Sequence, residues 1–213
     1  WVVFDDIQYR RHSWINRNRI LSPNLEKEWK YISIPLKKYS QTKLITQIEI
    51  NNDNKWCDSI LGSLSYYKRI KAPFYKDTIS FMEPLFQNKY EFISEINIIL
   101  MKHIANLLNI KTNFRISSEE NFKFEKNMNS DDWALEISKK LGASTYINPI
   151  GGKEIFDKKK YKREGIEIKF LKTKNIFYKQ SKRTFVPFLS IIDILMFNSI
   201  DNVKTMLNKY ELV

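Results

Sequence analysis

Residues that build disulfides, metal sites and glycine-rich loops are scarce in this sequence. Its 213 residues include one cysteine, two histidines and five glycines. One cysteine excludes an intrachain disulfide and indicates a reducing compartment, and so few Cys and His side chains argue against a structural zinc site. Apolar runs fall short of the roughly 18 to 20 residues that a spanning helix needs, and no signal-peptide pattern opens the chain. We therefore predict a cytoplasmic protein without membrane span, disulfide partner or metal ligands, and the sequence indicates no particular cofactor.

The charge of the chain is strongly one-sided. Lys and Arg total 36 against 24 Asp and Glu, so the formal net charge is +12. A basic balance of this size suits a nucleic-acid or phosphate-bearing partner. Only 8 of the 36 basic residues are Arg, and Ile and Asn are also abundant, so an AT-rich coding genome is an alternative explanation. Both explanations stay open, and the charge alone assigns no function.

Hydrophobic periodicity predicts alternating strands and helices. The expected strands are residues 1–4, 28–35, 44–50, 112–116, 144–148 and 166–171, and the expected helices are residues 54–70, 77–86, 94–107, 130–141, 157–164, 190–197 and 202–207. Residues 8–20 have no clean period and are expected to form an ordered loop. His103 lies on the apolar stripe of the third helix and Cys57 lies beside Trp56, so both are expected to be core residues.

The order of these elements predicts the fold class. Alternation over residues 112–171 favours parallel strands with right-handed crossovers. We expect an α/β fold with a mostly parallel sheet and flanking helices, Rossmann-like, with a helical insertion. Because no repeat or low-complexity linker is present, residues 1–213 are predicted to form a single domain, with residues 50–110 as the helical insertion or subdomain. The chain opens at Trp1 inside a strand-like run, so we expect its first strand and turn to lie upstream.

Candidate catalytic residues follow the first predicted strand. Asp5 and Asp6 stand at its carboxyl end, where open parallel sheets bind their ligands. Two carboxylates there can orient a hydroxyl, hold a divalent cation or act as a base. The alternative is a pair that caps a turn and faces water. Ser117 and Ser118 occupy the same place after the strand at residues 112–116 and could bind phosphate, although Ser is also common at such corners.

A basic and aromatic segment follows directly. Arg17 lies between Asn16 and Asn18, and a guanidinium flanked by two amides can bind a carboxylate or phosphate bidentately. Tyr9 and Trp14 are placed to stack on a base or a sugar face. A solvated basic loop is the alternative interpretation.

A glycine pair lies between a predicted strand and a predicted helix, in the segment NPIGGK at residues 148–153. Gly151 and Gly152 let the backbone approach a ligand, amides at a helix N-terminus favour anions, and Lys153 adds a point charge. The spacing fits neither a Walker loop nor GxGxxG. A simple turn is the alternative.

The chain resembles the WbqC-like protein family from Trp1 to its C-terminus. The segments that carry the resemblance are FDDIQY (4–9), WINRNRI (14–20), IPLKK (34–38), KAPFY (71–75), LGASTYINPIGGK (141–153), GIEIKF (165–170) and LSIIDIL (189–195). The family's opening strand and Gln-Pro-containing turn are absent here. Members occur among bacterial surface-polysaccharide and O-antigen genes, so the resemblance implies a role in lipopolysaccharide synthesis on a nucleotide-linked amino sugar. Glycine transfer has been proposed for the family.

The resemblance and the candidate residues together predict an acyl or aminoacyl transferase. Asp6, or else Asp5, would act as the catalytic base. The predicted substrate-binding residues are Gln8, Tyr9, Trp14, Asn16, Arg17, Asn18, Asn148, Gly151, Gly152 and Lys153. The donor is undetermined, and a charged tRNA would give the positive charge a direct use. A nucleotidyltransferase-like enzyme and a non-catalytic basic module that binds nucleic acid or phosphate are the alternatives.

Overall fold

The computed structural model of the protein describes residues 1–24, 26–53, 55–120, 122, 124, 128–181 and 184–213. The described strands are β1 (Val2–Val3), β2 (Arg17–Leu21), β3 (Trp29–Ser33), β4 (Arg115–Ile116), β5 (Thr145–Pro149), β6 (Glu167–Thr173) and β7 (Tyr210–Leu212). The described helices are α1 (Trp56–Arg69), α2 (Tyr75–Gln87), α3 (Ile93–Leu107), α4 (Ser130–Lys140), α5 (Lys158–Arg163), α6 (Ile191–Phe197) and α7 (Ile200–Leu207).

The chain divides into two compact units. The first comprises Trp1–Glu120 with Phe177–Thr205, and the second comprises Asn121–Ile176 with Met206–Val213. The single domain expected over residues 1–213, with an insertion at residues 50–110, stays a prediction.

The first unit buries its core between the antiparallel pair β2–β3 and its helices. In α1 the apolar positions recur at helical spacing, as Trp56, Ile60, Leu64 and Tyr67, and all four are buried. They join Ile20 of β2 and apolar residues of α2, α3 and α6 in one cluster. Each fully buried side chain of this size contributes about 1.5–3 kcal/mol to folding. This cluster fixes the β2–β3 pair against the helices, and that arrangement positions the candidate site.

The second unit contains a three-stranded sheet. β5 and β6 pair in parallel, and β7 pairs antiparallel with β6. Helix α5 connects the two parallel strands, as the sequence predicts, and its Tyr161 packs with Phe170 in the core of the unit. Gly142 and Gly165 follow α4 and α5 with φ values of 62° and 72°, a left-handed conformation that glycine adopts without strain.

The mixed α/β class is confirmed, but the sheets are smaller than predicted. The strand expected at residues 112–116 is reduced to β4, which pairs in parallel with β1 over two residues rather than with β5. The described strands therefore form three small sheets that are only partly parallel. They do not confirm a mostly parallel, Rossmann-like sheet.

Two local predictions were wrong. Residues 17–21 form a strand instead of part of a loop, because charged Arg side chains cover aromatic rings there and hide the apolar period. The second is the strand expected at residues 44–50. The structure has a 3-10 helix there, Ile45–Gln47, with isolated β-bridges on either side of it. The side chain of Gln47 accepts the Leu44 amide at 3.1 Å, which closes a turn where a strand was expected.

The two residues expected in the core differ in outcome. His103 is exposed and packs beside Phe81, with ring centroids 4.9 Å apart, so its predicted burial was wrong. Cys57 is half-buried against the core, and its Sγ donates to the carbonyl of Phe86 at 3.2 Å. Burial raises the pKa of the Cys57 thiol, which opposes a role as a nucleophile.

Candidate functional site

Two arginines of β2 lie on an aromatic face of the β2–β3 pair. Arg17 stands opposite Ser33 and Arg19 opposite Tyr31, so both guanidinium groups project to the same side. The guanidinium of Arg17 lies 4.4 Å from the ring centroid of Tyr31. That of Arg19 lies 4.7 Å from the ring of Trp14 and 4.4 Å from the ring of Trp29. The strand that sequence periodicity missed is therefore held by cation–π contacts.

These two cations have no carboxylate partner among the described residues. Every ion pair found there involves other side chains. Arg17 donates through Nη2 to the carbonyl of His12. The Nε atoms of Arg17 and Arg19 are both buried and have no hydrogen-bond partner in the described part of the chain. Guanidinium groups fixed on aromatic rings and left without a counter-charge are suited to an anionic ligand.

A cavity of about 370 Å³ opens beside Arg17, within the first unit, and Arg19 is not among its described lining residues. Its polar lining includes the predicted residues Asn16, Arg17 and Asn18, together with Asn97 of α3. Four helices supply most of its apolar lining, as Ile60, Met82, Phe86, Leu100, Met101, Ile104, Ile191, Ile192 and Leu195. The other apolar lining residues are Trp14, Ile15, Ile32 and Ile34. Cavities of this size, apolar with a few polar groups, are typical small-molecule sites.

Hydrogen bonds fix the polar side of the cavity. The hydroxyl of Tyr9 donates to Oδ1 of Asn16 at 3.0 Å, and Nδ2 of Asn16 donates to the carbonyl of Ile34 at 3.0 Å. Asn97 donates to the carbonyl of Ile15 at 2.8 Å. Burial, and then the neighbouring Tyr39, raise the pKa of Tyr9 to about 12, so its hydroxyl stays a neutral donor. Tyr9 is buried against Tyr39 and positions Asn16 from below.

The other predicted residues of this segment are placed differently. Trp14 is 56% exposed and lines the cavity beside Arg19. Asn18 is exposed, and its Oδ1 accepts the amide of Arg19 at 2.8 Å. Gln8 is exposed, donates to the carbonyl of Gln41 at 2.6 Å, and does not belong to the described cavity lining. The structure therefore brings Trp14 and Asn16–Asn18 together and leaves Gln8 apart.

The carboxyl ends of β1 and β4 meet, as the sequence predicts for parallel strands. Asp5 is buried, and its carboxylate accepts the amide of Ser118 at 3.0 Å and the hydroxyl of Ser118 at 2.7 Å. Asp6 is half-buried, and its Oδ1 has no hydrogen-bond partner among the described residues. Neither Asp lines the described cavity. The side chain of Asp5 therefore links the ends of two strands, whereas Oδ1 of Asp6 is left able to accept a hydrogen bond or a proton.

The glycine pair lies in the second unit, in a 3-10 helix, Ile150–Gly152, that directly follows β5. Asn148 accepts the hydroxyl of Tyr146 at 2.9 Å, and its Nδ2 packs where a Cβ on Gly152 would stand. Lys153 is exposed. Helix α5 begins only at Lys158, and the side chain of Asp157 accepts the amide of Lys159 there. The amides of the first turn of α5 are thus partly used by Asp157, and Gly151 and Gly152 precede that helix instead of opening it.

The structure contains a buried hydrogen-bond network around Asp193 that the sequence pattern did not predict. Asp193 of α6 has no exposed surface and accepts from Tyr67 at 2.6 Å, Tyr178 at 2.6 Å and Gln180 at 2.9 Å. Burial raises the pKa of Asp193, while its three donors lower it, and burial has the larger effect. The pKa values of Tyr67 and Tyr178 are raised by burial and by the Asp193 charge. The available signal was one carboxylate within the apolar run IIDILMF.

Other kinds of site are not seen in the described part of the chain. No three His, Cys, Asp or Glu side chains there lie close enough together to hold a metal ion. Among the same residues, no helix combines the length and the apolar composition needed to cross a bilayer.

Comparisons with known proteins agree with the resemblance seen in the motifs. The profile of the WbqC-like protein family matches residues 1–205. The uncharacterized protein Rv1507c of Mycobacterium tuberculosis (strain ATCC 25618 / H37Rv) is 21% identical over 198 residues, which cover 92% of this chain and 82% of that protein. No solved structure matches this chain.

Proposed function

Because the chain belongs to the WbqC-like protein family, we propose that it transfers an acyl or aminoacyl group, such as glycine, to a nucleotide-linked amino sugar. The reaction would serve O-antigen or surface-polysaccharide synthesis in the cytoplasm. The observation that carries this proposal is Arg17, which lines a cavity of about 370 Å³ and has no carboxylate partner among the described residues. Arg19, which likewise has no such partner, lies two residues further on the same face of the β2–β3 pair. A nucleotide-linked sugar supplies the anionic phosphates that such a pair would bind.

The transfer needs a base as well as a phosphate clamp. The sugar amine attacks the acyl carbonyl, the bond to the donor's leaving group breaks, and the amine proton must go to an acceptor. We assign that acceptor to Asp6, because the carboxylate of Asp5 is already bonded to Ser118. The proposal includes Gly151, Gly152 and Lys153 as a second phosphate-binding segment. The Rossmann-like sheet expected from the sequence remains part of the same hypothesis.

The direct test is product formation by the purified protein. A nucleotide-linked amino sugar is incubated with glycyl-tRNA or an acyl thioester, and the sugar's mass gain is measured by mass spectrometry. We expect Asp6→Asn to abolish transfer and Arg17→Lys to raise KM for the sugar nucleotide. Asp53→Asn and Arg69→Lys change exposed side chains of the same types and serve as matched controls. Full activity in both Asp6→Asn and Arg17→Lys would show that the site is misassigned.

A basic nucleic-acid-binding module is the second candidate, and the exposed Trp14 beside Arg19 favours it. Such a module stacks bases on aromatic rings and binds phosphates through Arg, so its affinity falls steeply with salt. Filter binding to unrelated RNA and DNA over a range of salt concentrations tests it. Binding that does not weaken with salt excludes this candidate. Release of pyrophosphate from a nucleoside triphosphate would instead favour nucleotidyl transfer.

A further inference from the structure

Phe188 combines two unfavourable features. Its φ is 59°, the left-handed region that residues with a Cβ rarely adopt. Its side chain is also 87% exposed, more than any other large apolar side chain of the described residues. Neither the exposed ring nor the left-handed backbone stabilises the folded state. Outliers of this kind gather at binding and catalytic sites, where the surrounding structure imposes them.

The chain on both sides of Phe188 is fixed. Before it, the amide of Val186 donates to Oε1 of Gln180 at 2.6 Å, and Nε2 of Gln180 donates to the carbonyl of Val186 at 3.0 Å. After it, the amide of Ser190 donates to the carbonyl of Arg19 at 2.8 Å, and the hydroxyl of Ser190 caps α6. The positive φ is therefore imposed by anchors on either side and is not the free choice of a loose loop.

These anchors also place Phe188 near the candidate site. Ser190 lines the cavity and bonds to β2 at Arg19. Two peptide units span at most about 7.6 Å between Cα atoms, so the backbone of Phe188 lies within that distance of the cavity lining. Trp14, another exposed ring, lines the same cavity beside the guanidinium of Arg19.

We infer that Phe188 is a ligand-stacking residue at the rim of this cavity, where its ring covers the base of a nucleotide whose phosphates bind Arg17 and Arg19. The inference rests on the proposed function, since it assigns part of the sugar-nucleotide substrate to a named side chain. The positive charges of Arg17 and Arg19 favour an anionic ligand, and the exposed ring of Phe188 favours a planar group that can stack on it. A nucleoside diphosphate has both features. Base stacking on one aromatic ring is worth about 5- to 150-fold in affinity.

The test measures binding and does not depend on transfer. Calorimetric titration of the full chain with UDP, CDP, ADP and GDP gives the affinity for each nucleotide, and inorganic pyrophosphate serves as the probe without a base. We expect Phe188→Ala to weaken the best nucleotide at least 5-fold and to leave pyrophosphate unchanged. Phe177→Ala removes another exposed ring and should alter neither affinity. Equal nucleotide affinities in wild type and Phe188→Ala overturn the inference while leaving the transfer proposal standing.

A second variant separates a binding role from a structural one. Phe188→Gly removes the ring and also the left-handed strain, so its Tm should exceed that of Phe188→Ala by about 2–4 °C. It should bind nucleotide as poorly as Phe188→Ala does. A large loss of Tm in both variants would show that the ring holds the fold together, and wild-type protein that binds no nucleotide would overturn the site itself.

Discussion

The hydroxyl of Tyr67 in α1 donates a 2.6 Å hydrogen bond to Oδ1 of Asp193 in α6, 126 residues further along the chain. The same hydroxyl accepts the amide of Leu21 at 3.0 Å. One buried phenol thereby connects the end of β2, which carries Arg17 and Arg19, to two helices that contribute to the cavity lining. We regard this network as the support that keeps the arginine-bearing strand in place.

Tyr67→Phe should therefore be costly although it removes a single oxygen. The change leaves the buried Leu21 amide without its acceptor and takes one donor from Asp193, so we expect a loss of about 2–3 kcal/mol in the free energy of unfolding. Urea unfolding followed by circular dichroism measures it. Tyr75→Phe is the matched control, because its hydroxyl makes no hydrogen bond within the described residues. Equal effects in the two variants would argue against the network.

Asp193 should give the protein a distinctive pH dependence. Burial raises its pKa in the folded state above the ordinary value of 3.8, so the folded protein binds this proton more tightly than the unfolded chain does. The stability that Asp193 contributes is fully present below that ordinary value and is lost as the pH rises through the raised pKa. Asn cannot titrate, so the stability advantage of wild type over Asp193→Asn should shrink as the pH rises above that ordinary value. An advantage that grows with pH would contradict the assigned direction.

The sequence predicted the helices of this fold better than its strands, for a physical reason. Helical stripes such as Trp56, Ile60 and Leu64 recur because each must face one core. β2 escaped prediction since its cation–π contacts with Tyr31 and Trp29 depend on a partner strand. In the candidate site, Asn16–Asn18 could be predicted from a local pattern. The Asp193 network could not, because its members lie far apart in the chain and meet only on folding.

Because Asp5 bonds to Ser118 and Asp6 is the proposed base, substitutions at Asp5 should lower stability and leave transfer activity in place. Ser118→Ala and Asp5→Asn should each lower the free energy of unfolding, by about 1–2 kcal/mol for Ser118→Ala, because they break charged hydrogen bonds between the ends of β1 and β4. Ser40→Ala, at an exposed hydroxyl, should cost little. Transfer activity per folded molecule should survive in Asp5→Asn. Were Asp5→Asn stable and inactive, Asp5 rather than Asp6 would be the base.

Arg19→Lys keeps the charge but not the planar group between two indoles. We expect a loss of about 1 kcal/mol in stability, since a Lys ammonium cannot stack on Trp14 and Trp29 as a guanidinium does. Anion binding should weaken as well, because the bidentate fork is lost. Arg69→Lys, at an exposed arginine over one ring only, should stay within about 0.5 kcal/mol of wild type. Thermal unfolding and pyrophosphate titration of both variants provide the comparison.

The two neighbouring glycines of the second unit should respond differently to the same change. A Cβ on Gly152 would meet Nδ2 of Asn148 and approach Phe156 at 3.0 Å, while a Cβ on Gly151 meets nothing within 4 Å. Displacing Asn148 breaks its bonds with Tyr146 and with the carbonyl of Pro149. Gly152→Ala should therefore lower the free energy of unfolding by about 1–2 kcal/mol, with Gly151→Ala near wild type. Gly151→Ala could instead weaken pyrophosphate binding without any loss of stability. That result would support a ligand-binding role for this segment, because the added Cβ meets no protein atom and would have to act on the bound ligand.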